Sequence, residues 1–162
     1  MEIAVYGPDY QQYIIDYQES DKLEAEAYSL ISTLSDFKQK GLLPGEVAHF
    51  YEDLPLPRVF IGKMPWVEKK GLINRTWKNA GYSAAGSAIF IHDSLPDYAK
   101  SAFLLKELVK YYYKVNDNDA LIISTKISQK LVKITKENKF PSIQLEMIQN
   151  YLETEIRRNK LI

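Results

Sequence analysis

Apolar residues recur along the chain with two different periods, and the change of period marks the elements. Residues 2–6 (Glu-Ile-Ala-Val-Tyr) read as a short strand stopped by Gly7-Pro8. Tyr10, Tyr13, Ile14 and Tyr17 share a helical face, so a helix is predicted from Asp9 to about Glu19. Ser20-Asp21 opens a second helix, reaching about Lys40. Its apolar positions Leu23, Ala27, Leu30, Ile31, Leu34 and Phe37 follow three- and four-residue steps, and Gly41 ends it. Pro44-Gly45 makes a turn. Residues 46–51 read as a helical turn. Residues 54–57 are extended, because each proline removes a donor and disfavours helix before it.

The middle of the chain changes period. Residues 58–61 (Arg-Val-Phe-Ile) and 88–91 (Ala-Ile-Phe-Ile) are short strands, the second broken by Asp93, Ser94 and Pro96. Between them, Gly62, Gly71, Gly81 and Gly86 with Trp66 and Trp77 indicate strands or loops of a meander. A long helix is predicted from Pro96 or Asp97 to about Lys114. The polar run 116–119 caps another, about 119–138, and Pro141-Ser142 starts a last one ending near Asn159. The expected fold class is α+β, a small mixed sheet packed against several helices. No repeat, low-complexity tract or linker interrupts it, so residues 1–162 are read as a single domain.

Composition narrows the classes. With 46% hydrophobic and 26% charged residues the chain is too apolar for intrinsic disorder. It has no apolar run long enough for a transmembrane helix, and residues 1–11 do not have the pattern of a secretory leader. Zero cysteines exclude disulfides, thiolate metal sites and a cysteine nucleophile. They agree with a reducing compartment, so a cytoplasmic location is expected.

The formal net charge is zero, but unevenly built. Residues 1–57 carry eleven acids and three lysines; residues 58–98 sum to +3 and residues 99–162 to +5. This argues against a generally basic nucleic-acid binder and against attraction to an anionic membrane. It points to internal charge complementarity or to head-to-tail contacts between copies.

One segment carries chemistry. Residues 81–114 run from a glycine-containing loop through the strand 88–91 and a short polar connection into the helix with Leu104-Leu105-Lys106-Glu107-Leu108-Val109-Lys110. This order resembles the core of the zincin metallopeptidases, where an edge strand binds extended substrate and the next helix carries His-Glu-x-x-His. The resemblance implies a zincin-like core with Lys106 and Lys110 at the two histidine positions and Glu107 at the general-base position. Two imidazoles at i and i+4 supply lone pairs to zinc, whereas a lysine ammonium has three donors and no acceptor. The resemblance therefore implies the fold and argues against the activity: no zinc, no other cofactor and no catalytic residue are expected.

In that setting the lysine pair replaces the charge of the metal and needs acids nearby. Glu24 or Glu26, in Glu24-Ala25-Glu26-Ala27-Tyr28, are the suggested partners, although zincins place such an acidic helix downstream. Lys106, Glu107, Lys110 and Lys114 also fall on one stripe, which an ordinary solvated helix face would show. His92, ending its strand, and Tyr82 complete the expected cleft. His49, three residues after Glu46, is the other histidine. Asn116-Asp117-Asn118-Asp119 lacks the glycine and glutamate of a calcium loop and reads as a cap. Tyr111-Tyr112-Tyr113 span 200° of helix, so at least one must be exposed or cover another element.

The function expected is that of a non-catalytic pseudo-metallopeptidase. It binds a peptide or protein partner at a sheet edge and cleft, with the lysines favouring a carboxylate and self-association open. Two alternatives stand beside it: a metal-dependent hydrolase using His49 and His92, and a structural or assembly protein using the tyrosine-rich helices.

Overall fold

The computed structural model describes residues 2–6, 12–62, 66–70, 74–78, 80–83, 88–137 and 143–160. The strands are β1 (Glu2–Tyr6), β2 (Gln12–Glu19), β3 (Arg58–Gly62), β4 (Trp66–Lys70), β5 (Asn74–Lys78), β6 (Ala80–Ser83) and β7 (Ala88–His92). The helices are α1 (Asp21–Gln39), α2 (Asp97–Tyr113), α3 (Asp117–Glu137) and α4 (Ile143–Arg158), and a 3-10 turn spans Gly45–Val47. The class is α+β.

Five strands form one mixed sheet in the order β1-β2-β3-β7-β6. Only β3 and β7 are parallel, with Val59 opposite Ile89 and Ile61 opposite Ile91; the other neighbours are antiparallel. The hairpin of β4 and β5 and the edge strand β6 lie in the connection between the two parallel strands. Within this sheet β6 is paired with β7 alone.

One predicted element is corrected. Residues 12–19 form strand β2, not a helix. Tyr10, Tyr13, Ile14 and Tyr17 have helical spacing, but Tyr13, Ile15 and Tyr17 alternate equally well. Aromatic and β-branched side chains fit a pleated surface, and β2 has strands on both sides to pair with. The predicted helix start at Asp9 and the last helix's start at Pro141-Ser142 lie outside the described residues.

Strand β2 also explains a glycine. Tyr17 pairs with Gly62 across the sheet, and a Cβ on Gly62 would meet Cδ1 and Cε1 of the Tyr17 ring at 2.5 Å. That ring is 1% exposed and packs edge-on against Phe90, so it has nowhere to retreat. Gly62→Ala is expected to cost about 1–3 kcal/mol through overpacking. The check is a lower urea midpoint with an unchanged slope; an unchanged midpoint would show that the ring moves freely.

Helix α1 is set by its ends. Ser20 Oγ accepts from Leu23 N at 3.2 Å, Asp21 and Glu24 sit in the first turn and Lys38 in the last. Those charges complement the helix dipole. Leu23, Ala27 and Leu34 form its buried stripe.

Helix α2 is different. It packs against α1, β6, β7, α3 and α4, and twelve of its seventeen residues are buried. A helix enclosed by neighbours must be apolar nearly all round. Ala99, Ala102, Phe103, Leu104, Leu105, Leu108 and Val109 meet that requirement. Three of its four tyrosines, Tyr111, Tyr112 and Tyr113, are buried, and two of them cover the 3-10 turn and the irregular segment after it. Tyr111 Oη donates to the Pro55 carbonyl at 2.7 Å and Tyr113 Oη to the Val47 carbonyl at 2.6 Å. Burial pushes the Tyr113 phenol far above its ordinary range, so it stays a neutral donor.

Candidate functional site: an ion cluster on the central helix

Three of the four charges in the stripe, Lys106, Glu107 and Lys110, are withdrawn from bulk solvent, and Lys114 at the end of the helix is exposed. Glu107 is fully buried, and the side chains of Lys106 and Lys110 are 12% and 22% exposed. Helical geometry places 106 and 110 one above the other. Both ammonium groups turn to the head of the next helix, where Lys110 Nζ lies 2.9 Å and Lys106 Nζ 3.7 Å from Asp117 Oδ1. Lys106 Nζ is also 3.6 Å from Glu107 Oε1 and 5.5 Å from the centre of the Phe103 ring.

Asp117 is held there by the local chain. Lys114 ends α2 with φ 54°, a left-handed turn that reverses the chain. Asn116 then caps α3, its Oδ1 accepting from Asp119 N at 2.8 Å. The polar run 116–119 is thus a cap, as its sequence indicates. It also delivers an acid to the lysines, which its sequence does not announce.

Glu24 and Glu26, the suggested partners, are placed elsewhere. Glu24 Oε1 accepts from Val59 N at 3.1 Å, at the start of β3. Burial, with Glu19 nearby, holds its carboxyl above the usual range. Glu26 lines a cavity of about 110 Å³ between the first turns of α1 and α2. The acid that answers Lys106 and Lys110 comes from the C-terminal side of the chain.

The remaining expected residues separate. His92 closes β7 at the N-terminal end of α2, with Nδ1 2.5 Å from Ser94 Oγ. The ion cluster occupies the C-terminal half of that helix, and Lys106 lies about 14 Å along the axis from Asp97. Tyr82 stands on β6 in register with Ile89. His49 is exposed in the segment after the 3-10 turn, and its neighbour Glu46 pairs with Lys126 at 3.5 Å. Among the described residues no three His, Asp or Glu side chains gather closely enough to hold a metal ion, and no helix is long and apolar enough to cross a membrane.

Chemically the cluster is two ammonium groups against two carboxylates, neutral as a set. Its charge is spent internally, so it is a poor selector of a free carboxylate. Desolvating charges is costly, and such a group is tolerated only with its partners in place. Neither a known protein family, nor a curated protein, nor a solved structure matches this chain.

Proposed function

We propose that this chain is a zincin-like protein without zinc ligands, binding an extended peptide or a segment of a partner protein beside the edge strand β6. The observation that carries the reading is the order of parts leading into the central helix. An antiparallel edge strand, β6, leads through β7 into a buried helix that carries Lys106-Glu107-Leu108-Val109-Lys110, and the reading aligns that segment with the His-Glu-x-x-His of a zincin. Asp117 supports it further. It comes from the downstream helix, in the chain order in which many zincins supply an acidic third ligand, and it reaches both lysines. The lysine ammonium groups then take the place of the dication, and the cluster ties the central helix to the start of α3.

Binding follows from the edge. A strand paired on one side carries backbone donors and acceptors along the other, and an extended segment can add there as a further strand. Specificity comes from alternate side chains of the guest; the internally paired lysines contribute little to it.

The experiment is selection from a phage-displayed library of random decapeptides, followed by hydrogen exchange on the complex. The expected result is enrichment of extended peptides that slow exchange in residues 80–83. No enriched sequence, or protection confined to another element, overturns the binding site. Stoichiometric zinc in protein purified without chelator overturns the metal-free centre and favours a metal-dependent hydrolase.

A further inference from the structure

The sheet has a second buried face. Val59, Ile89 and Ile91 belong to the core shared with the helices. Phe60 and Phe90 alternate with them along β3 and β7, and so stand on the other face. Their rings stack with centres 5.5 Å apart, and Tyr17 packs edge-on against Phe90. All three are buried, yet they lie outside the core that the helices share. Strand β4 lies beside β1 at one edge of the sheet and beside β6 at the other. The helices pack on the opposite face, so β4 bridges the two edges on the aromatic side.

Charge gives this bridge a hold. The β1–β2 hairpin, residues 2–16, contains Glu2, Asp9 and Asp16 and no base. The β4–β5 hairpin, residues 66–78, contains Lys69, Lys70, Arg75 and Lys78 against Glu68. Each hairpin also sets a like-charge pair directly across its strands: Glu2 opposite Asp16 in the first, Lys69 opposite Arg75 in the second. Like charges in that position destabilise a hairpin taken alone. The same pairs turn favourable when a hairpin of the opposite sign lies alongside, and β1 lies alongside β4. Part of the contrast between the acidic residues 1–57 and the basic remainder is therefore answered within the chain.

We propose that the β4–β5 hairpin is a strap over the aromatic face of the sheet, latched to the β1–β2 hairpin by opposite charge and released when that charge is screened. Once released, it uncovers Tyr17, Phe60 and Phe90 as a contiguous apolar surface. The latch is independent of whether β6 binds a peptide.

Trp66 and Trp77 are the chain's two tryptophans and both lie on the strap, so their fluorescence reports it selectively. In the wild type, acrylamide quenching and hydrogen exchange in β4 and β5 are expected to rise as salt goes from about 0.01 to 1 M. Over that range the screening length falls from about 30 to about 3 Å. The helical circular dichroism should stay unchanged. Lys69→Glu with Arg75→Glu is expected to speed exchange in β4 and β5 about tenfold at low salt and to abolish its rise with salt. Both members of the pair change together, so the pair across the hairpin stays like-charged and only the contact between hairpins changes sign. Glu2→Lys with Asp16→Lys should have the same effect, and the fourfold variant should return to wild-type protection. That rescue, with the salt series on the wild type, keeps the test decisive if either pair of substitutions alone prevents folding. Wild-type quenching and exchange that do not respond to salt overturn the proposal. So does a folded reversal that leaves exchange unchanged, or a fourfold variant no better protected than either pair alone.

Discussion

Replacing Lys106 by methionine is expected to lower the free energy of unfolding by about 3–5 kcal/mol, the usual cost of removing one partner from a buried ion pair. Methionine keeps most of the lysine stem that lies beside Phe103, so the loss reports the charge rather than the packing. The reason is Glu107. Its carboxylate is fully buried, and Lys106 Nζ at 3.6 Å faces it. Asp117 loses one of its two ammonium neighbours in the same step. For a chain of this size the expected fall in melting temperature is roughly 10 °C.

The double change Lys106→Met with Glu107→Leu should recover most of that loss. It removes both charges and fills similar volume, and buried pairs replaced by apolar residues are often neutral or better. The two substitutions are thus strongly non-additive, and a double-mutant cycle measures the coupling directly. If Lys106→Met alone changes stability by less than about 0.5 kcal/mol, the scale of an ordinary surface substitution, the cluster is effectively solvated and its central role is lost.

The same cluster shows where reading the sequence succeeds and where it stops. Strands β3 and β7 and helices α1 and α2 are legible, because the strands are short β-branched and aromatic runs, the helices are long, and Gly41, Pro57 and Pro96 punctuate them. Strand β2 is not, since its tyrosines and isoleucines satisfy both periods; pairing with β1 and β3 decides it. The charges of α2 read as a solvated stripe when only their spacing is considered. The apolar residues on every other side, from Ala99 to Tyr113, were the signal of an enclosed helix. Burial of Glu107 follows from that enclosure. Asp117 has no such local signal. Its capping neighbourhood explains it fully in one dimension, and only the left-handed turn at Lys114 folds it back onto Lys106 and Lys110.

Substituting both lysines by histidine is expected to turn the cluster into a zinc site, and this tests the zincin reading at its root. Lys106→His with Lys110→His places two imidazoles at i and i+4 beside Glu107, and Asp117 stands ready as a third protein ligand. The charge argument makes the outcome sharp. Two ammonium groups leave and one dication enters, so the loaded site has the net charge of the original. Without metal, the variant should be destabilised for the reason that Lys106→Met is: buried carboxylates have lost their cations. Zinc should then restore stability, by about 2.7 kcal/mol at a free concentration a hundred times the dissociation constant. Cobalt in place of zinc should give the visible spectrum of a four-coordinate site. Adding Asp117→Ala should weaken zinc binding by tenfold or more, which separates a three-residue site from a chance histidine pair. Refolding with and without zinc keeps the test decisive if the metal-free variant does not fold. A folded double variant with no zinc affinity would break the alignment of Lys106-Glu107-Leu108-Val109-Lys110 with His-Glu-x-x-His. It would leave the cluster as a structural device of the central helix.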